Sequence, residues 1–206
     1  MTVETPQGPA PGLRERTRRA VRAELTDVAM DLFLRQGFEA TTVDEIAAAA
    51  GISRRSLFRY FASKEAIIFD NLQDIGVQLA EALAKRPRTE DPWTALRRTF
   101  DLIIAFNDDD PARTLAFYSM VEETAGLKAR YFEQQMRWQE LLVPDIAVRI
   151  GKAAGDDGHG PCAAAFVGAA LACLYAANNA WRHSQGKADV VHLLDEAMRT
   201  VRSADF

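Results

Sequence analysis

The chain has 206 residues, a formal net charge of −4, and 48% hydrophobic against 26% charged residues. That much apolar surface excludes a disordered chain, and the length suffices for one large domain or two small ones without disulfide staples. No unbroken run of 18 apolar residues occurs, and residues 1–12, with Glu4, Pro6, Gly8, Pro9 and Pro11, lack the apolar core of a signal peptide; neither a membrane span nor secretion is expected, and the cytoplasm is. Cys162 and Cys173, eleven apart in an Ala-rich context, fit buried thiols of a reducing compartment better than a disulfide framework.

The elements read as follows. Residues 1–12 form a flexible tail. A first helix starts at Leu13, with Val21, Leu25, Val28, Ala29, Leu32 and Phe33 as its apolar stripe, and stops at Gly37. Thr42 and Glu45 make a capping box for a second helix ending at Gly51. Ser53 caps a third, Arg54 to about Phe61, and Ser63 a fourth, Lys64 to about Lys85. Pro87 and Pro92 break the chain near a domain boundary, with the fourth helix shared by both parts. Trp93–Phe106, Pro111 to about Thr124, Leu127–Ile150 (kinked or divided at Pro144), Cys162–Ser184 and Ala188–Arg202 follow, with a glycine-rich loop at 151–161. No segment alternates with period two. The fold expected is all-α with about nine helices: a three-helix domain at 13–64 and a helical bundle at 65–206.

Charge is unevenly placed. Residues 1–64 hold 10 Lys and Arg against 8 Asp and Glu, a balance of +2, while the remainder carries −6. Arg14, Arg16, Arg18, Arg19 and Arg22 crowd the first helix around a single Glu15. Helices two and three, joined by Gly51-Ile52-Ser53, have the spacing of a helix-turn-helix, whose second helix enters the major groove. Arg54, Arg55 and Arg59 suit phosphates or guanine edges, and Ser56 a base or phosphate. Lys64, at a helix start, suits a phosphate. Leu57 and Phe61 face inward.

The run Thr41-Thr42-Val43-Asp44-Glu45-Ile46-Ala47-Ala48-Ala49-Ala50-Gly51-Ile52-Ser53, followed by Leu57-Phe58-Arg59-Tyr60-Phe61-Ala62-Ser63-Lys64-Glu65-Ala66, closely resembles the DNA-binding signature of TetR-family transcriptional regulators. The likeness covers about Thr17 to Leu72. It implies a homodimeric, ligand-responsive regulator, usually a repressor, that binds a palindromic double-stranded operator. The residues set against DNA are Arg18, Thr42, Ser53, Arg54, Arg55, Ser56, Phe58, Arg59, Tyr60 and Lys64. Two positions depart from the family pattern: Arg55 stands where glycine is common, and Phe58 where tyrosine is common. Phe58 has no hydroxyl for a phosphate, although its ring can pack on a sugar or a thymine methyl.

Residues 91–206 hold 12 of the 18 aromatic side chains, most of them at core spacing. A regulator of this kind needs a cavity between helices. Its expected lining is Phe100, Ile103, Ile104, Phe117, Tyr118, Val121, Trp138, Phe166, Tyr175 and Asn178, with Met120, Arg113 and Glu122 as further candidates. Arg113 to Phe117, Ala147 to Gly151 and Ala177 to Arg182 resemble regulators that bind acyl-coenzyme A, which implies a largely apolar or amphipathic effector. The Ala- and Gly-rich helix at 162–184 and the striped helix at 188–202 are expected to form a four-helix homodimer interface.

An enzyme is the main rival, with little to stand on. The three histidines, His159, His183 and His192, supply neither copy of the paired Glu-x-x-His of a di-iron bundle, and Asp189-x-x-His192 reads as a helix start. Asp108-Asp109-Asp110 lacks the glycine and distal glutamate of a calcium loop; P-loop and G-x-S-x-G motifs are missing. No metal, cofactor or catalytic residue is expected. The other rival is a constitutive DNA-binding protein without ligand control. A second domain larger and more aromatic than the DNA reader disfavours it.

Overall fold

The computed structural model describes residues 12–151 and 161–203. The expected tail, nearly all of the 151–161 loop with His159, and Phe206 lie outside them. Every described element is a helix: α1 (Leu13–Gln36), α2 (Val43–Ala49), α3 (Arg54–Phe58), α4 (Lys64–Ile68), α5 (Asp70–Ala84), α6 (Pro92–Thr99), α7 (Asp101–Asp109), α8 (Pro111–Glu123), α9 (Ala125–Arg149), α10 (Pro161–His183) and α11 (Val190–Ser203). Eleven helices replace the expected nine because two long segments break. Phe69, at φ −94 and ψ 7, interrupts the expected fourth helix, and Phe100 separates α6 from α7. Of the two alternatives at Pro144, division does not occur: α9 runs through it as one helix.

The chain forms two compact units, residues 1–68 and 69–206. Pro87 and Pro92 therefore lie inside the second unit, not at its edge.

In the first unit, Leu25, Ala29, Met30 and Phe33 of α1 pack with Phe38, Ile46, Ala47, Leu57 and Phe61. Thr26 and Met30 take the buried places expected for Val21 and Val28, which stay half-exposed. Gly37 ends α1 at φ 89 and ψ 154, a conformation only glycine adopts readily. The capping box of α2 forms in full: Glu45 N donates to Thr42 Oγ1 (3.2 Å) and Thr42 N to Glu45 Oε2 (2.7 Å). These bonds hold the Glu45 carboxyl below its ordinary range. Gly51, at φ 67, turns the chain out of α2, and Ile52 N returns to Ala47 O (2.9 Å). Lys64 then closes the unit. Its ammonium donates to Phe38 O (2.7 Å) and Thr41 O (2.9 Å) and lies 4.1 Å from the centroid of the Phe38 ring.

In the second unit α10 packs against α9, α11, α6 and α8, and α5 against α9 and α6. α10 is long and apolar enough to cross a membrane by length and composition. Here it is a core helix, with Val167, Ala170, Leu171, Leu174 and Ala177 buried. α5 and α9 approach closely at Gly76, where an added Cβ would stand 2.5 Å from Trp138 Cδ1. Trp138 Nε1 (3.0 Å) and Gln134 Nε2 (3.2 Å) both donate to Leu72 O of α5. Arg149, its side chain fully buried, pairs with Asp145 (2.5 Å) and donates to Leu83 O (2.9 Å), Arg86 O (3.1 Å) and Pro87 O (2.7 Å). It thus satisfies the carbonyls that the end of α5 leaves orphaned. Asp91 and Asp110 cap α6 and α8, each ahead of a first-turn proline. Asp189 Oδ1 accepts from Val191 N and His192 N, which makes Asp189-x-x-His192 the expected helix start. Of the two cysteines only Cys173 is buried, and burial pushes its thiol up; Cys162 is exposed.

Two substitutions test these contacts. Gly76→Ala forces a methyl into the Trp138 indole and should lower the urea stability of the second unit by about 1–3 kcal/mol, read by tryptophan fluorescence. Lys64→Met strips charge-assisted bonds from two carbonyls and should cost about 1.5–3 kcal/mol, read by hydrogen exchange at α1 and α3 amides.

Candidate nucleic-acid interface and effector cleft

α3 presents the candidate reading face. Ser53 Oγ accepts from Ser56 N (3.1 Å) and lies 2.9 Å from Ser56 Oγ. Leu57 is 1% exposed and pins the helix inward. α3 is shorter than expected, ending at Phe58. A tighter turn continues it, with Arg59 N donating to Ser56 O and Tyr60 N to Leu57 O. Phe61 is buried under the Arg22 guanidinium, 4.9 Å from its ring centroid.

Arg54, Arg55, Phe58 and Arg59 are exposed on this face, and Ser56 and Tyr60 half-exposed. Arg54 pairs with Asp44 of α2 at 3.0 Å, both side chains being more than half exposed. Such a surface pair is worth about 0–1 kcal/mol, so it holds Arg54 in place without preventing its transfer to a phosphate. Arg54 also leans over the Phe58 ring (5.6 Å), and Arg59 over Tyr60 (5.9 Å). Thr42 and Ser53 stand at the N-termini of α2 and α3, their oxygens engaged in caps.

Lys64 has a structural role beside the expected phosphate contact. Its ammonium donates to two backbone carbonyls and lies against the Phe38 ring, so it helps to hold the unit together. The spacing placed Lys64 at a helix start, but it carried no sign of a bond to Phe38 and Thr41 more than twenty residues earlier.

The structure also joins residues that the sequence kept apart. Arg14, Thr17 and Arg18 of α1 and Arg59 and Tyr60 beside α3 line one open groove of about 450 Å³, with Leu13 at its edge. Among the described residues three guanidinium groups and no carboxylate line it. Arg14 belongs to this set, and only its membership of the arginine cluster marked it in the sequence.

In the second unit the expected pocket residues part company. Phe100, Ile103, Ile104 and Trp138 belong to the main core, and Phe166 packs edge-on against Trp93 with centroids 5.0 Å apart. Val121 is buried on α8. Phe117, Tyr118 and Tyr175 belong to an aromatic cluster that joins the core through Tyr118 and Trp181, and Asn178 lines a cleft beside Tyr118 and Tyr175. Tyr118 meets Phe117 (5.3 Å), Tyr131 (6.3 Å) and Trp181 (6.5 Å), and Tyr131 meets Tyr175 (6.3 Å). Phe117 also meets Phe69, at the start of α5 (6.3 Å). A cleft among Tyr118, Glu122, Tyr175, Asn178, Asn179 and Arg182 has about 10 Å³ open, room for roughly one water molecule.

Polar groups cross this cleft. Tyr175 OH donates to Glu122 Oε1 (2.7 Å), and Lys128 Nζ to Glu122 Oε2 (2.8 Å). Burial works against the Glu122 carboxylate, but those bonds outweigh it and hold its pKa low. Burial pushes the Tyr118 and Tyr131 hydroxyls up, so both stay protonated. Arg182 Nη2 donates to Asn179 Oδ1 (3.0 Å). Asn107, buried on α7, donates to Asn178 Oδ1 (3.1 Å). Asn107, Tyr131, Asn179, Trp181 and Arg182 were not among the residues assigned to this site from sequence; the one available signal was polar residues at helical spacing in an apolar run. Among the described residues no group of three His, Cys, Asp or Glu side chains is placed to hold a metal ion.

Comparison with known proteins identifies the chain. Residues 25–70 match the family model for bacterial regulatory proteins of the tetR family, and residues 90–204 match the MftR C-terminal domain. The chain is 37% identical to the HTH-type transcriptional regulator TcmR of Streptomyces glaucescens over 162 residues, 76% of this chain and 71% of that one. It is 34% identical to the putative mycofactocin biosynthesis transcriptional regulator MftR of Mycobacterium tuberculosis over 139 residues, 66% of this chain and 69% of that one. Its fold is shared with the Thermus thermophilus repressor FadR, solved with lauroyl-CoA, at TM-score 0.62 and 20% identity, covering 90% of this chain and 95% of that one. The Bacillus subtilis regulator FadR, solved with stearoyl-CoA, gives TM-score 0.61 and 15% identity, covering 89% and 99%. The chain belongs to the TetR family of bacterial transcriptional regulators, which are DNA-binding proteins and not enzymes.

Proposed function

We propose that the protein is a homodimeric repressor, acting in the cytoplasm, that binds a palindromic operator and is released from it by a largely apolar or amphipathic effector. The observation that carries the reading is the α3 face: Arg55, Ser56, Phe58 and Arg59 stand outward on a turn fixed from below by Leu57 and Phe61. Arg55, Ser56 and Arg59 reach base edges, and the Phe58 ring packs on a sugar or a thymine methyl. Arg14, Arg18 and Arg54 meet phosphates, while Thr42, Ser53 and Tyr60 border the strand.

Dimerisation places two α3 helices on successive half-sites. Its support lies in α10, where Ala165, Ala172, Ala176 and Ala180 form an exposed stripe of small residues, and in α11, where Val191 and Val201 are exposed. Such faces let two helix pairs approach closely under two-fold symmetry. The effector enters the second unit beside Tyr118. Phe117 touches both Tyr118 and Phe69, so a displaced Tyr118 is felt at the start of α5. The chain leads from there through α4 to the reading unit, and a shifted α5 changes the separation of the two α3 helices. The effector acts only to the extent that it binds the two arrangements differently. The acyl-coenzyme A ligands of the two FadR structures make such molecules the first to titrate. A constitutive DNA binder would show operator affinity unmoved by every ligand that enters the cleft.

Arg59→Ala should weaken binding to an operator selected from a random-sequence pool by about 1–3 kcal/mol. The dimer measured by sedimentation should be unchanged, because Arg59 lies in the reading unit and the proposed interface in α10 and α11.

A further inference from the structure

The start of α1 stands clear of the first unit. Leu13 to Ala20 are all exposed, and the first buried residue of the helix is Leu25. About 12 Å of helix thus projects without a packing partner among the described residues, its first turn tied by Thr17 Oγ1 donating to Leu13 O (2.9 Å). The groove of about 450 Å³ joins Arg14, Thr17 and Arg18 of this stretch to Arg59 and Tyr60 beyond α3. Among the described residues no carboxylate in it offsets the three guanidinium groups, so it suits a polyanion. Arg59 also belongs to the exposed face of α3. With α3 in the major groove, the surface next to Arg59 falls on the strand that bounds it, and a minor groove begins on the far side of that strand. Reach matters as well. The five residues of α3 span about 7.5 Å, or two to three base-pair steps of about 3.4 Å, so a longer half-site needs a reader outside α3.

We propose that the start of α1 lies across the minor groove bordering each half-site, with Arg14 and Arg18 on the phosphates of its two strands, and that this contact selects A·T-rich flanks. The assignment rests on the operator reading above and adds to it a second source of specificity, read from DNA shape. Arg14 and Arg18 stand one helical turn apart, about 6 Å along the axis, close to the minor-groove width of about 6 Å. A·T tracts narrow that groove and strengthen its negative potential, so both guanidinium groups reach phosphate there. A wider G·C groove leaves one of them short. Arg59 keeps its base contact in the major groove and fixes the register between the two elements.

The test uses the full-length protein and a duplex that it selects from a random-sequence pool. The base pairs bordering each half-site on both sides are replaced by A·T, by G·C and by inosine·cytosine pairs. Inosine keeps the major-groove face of guanine and lacks its minor-groove amino group. Affinity is read by fluorescence anisotropy for the wild type and for Arg14→Ala/Arg18→Ala; both side chains are exposed, and circular dichroism checks that the fold is kept. A·T and inosine flanks should bind the wild type alike and about tenfold tighter than G·C flanks. In the double variant the three affinities should converge, and the slope of log K against log salt should become shallower by about 2 per half-site. Discrimination against a scrambled half-site should be retained. Equal wild-type affinity for the three flanks overturns the proposal. So do inosine flanks that behave as G·C, and a flank preference that survives in the double variant. Each of these leaves the operator reading standing. If the wild type does not distinguish the selected duplex from a scrambled one, both readings fall.

Discussion

A five-residue helix does not hold its shape in water, because helix nucleation needs more bonds than it can make. The reading face of α3 therefore depends on what fixes it from outside. Ser53 caps its start, Leu57 anchors its inner side, and Phe61, three residues beyond its end, is buried beneath the Arg22 guanidinium. Lys64 completes the arrangement by tying the start of α4 to the carbonyls of Phe38 and Thr41, which flank the turn into α2. The exposed side chains of Arg55, Phe58 and Arg59 contribute little to this support, so the platform does not depend on them.

The second unit buries the charge of Arg149 with its partners in place: a carboxylate and three carbonyls surround its guanidinium, and its role ends in closing α5. At Gly76 the α5 backbone and Trp138 leave no space for a methyl, so the approach of α5 to α9 depends on a residue without a side chain.

Local chemistry was the legible part of this sequence. The capping box at Thr42 and Glu45, the helix-ending Gly37 and Gly51 and the inward Leu57 and Phe61 each follow from residues within four or five positions. What was not legible has a common cause in distance along the chain. The bonds of Lys64 to Phe38 and Thr41 reach residues more than twenty positions earlier. Trp138 and Phe166 looked like pocket walls because an aromatic at core spacing does not reveal whether it faces a cavity or another ring. The breaks at Phe69 and Phe100 had no glycine or proline to announce them. Pro144 allowed a kink or a division, and α9 is not divided there, since a single missing amide within 25 residues is a small loss to a helix otherwise buried along one side.

The negative total charge looks at first like an argument against a nucleic-acid partner. Screening removes most of its force. Beyond about 8 Å at physiological ionic strength, one exposed charge hardly feels another, so a phosphate responds to its immediate surroundings and not to the sum over 206 residues. At the first unit those surroundings are three guanidinium groups in one groove, with Arg55 exposed on α3. The carboxylate of Asp44 holds the candidate contact Arg54 through an exposed bond of little strength. The surplus of acid belongs to residues 65–206, where it serves solubility and discourages non-specific contact with DNA. An acidic protein can thus bind a polyanion, provided its basic groups are gathered where the polyanion must lie.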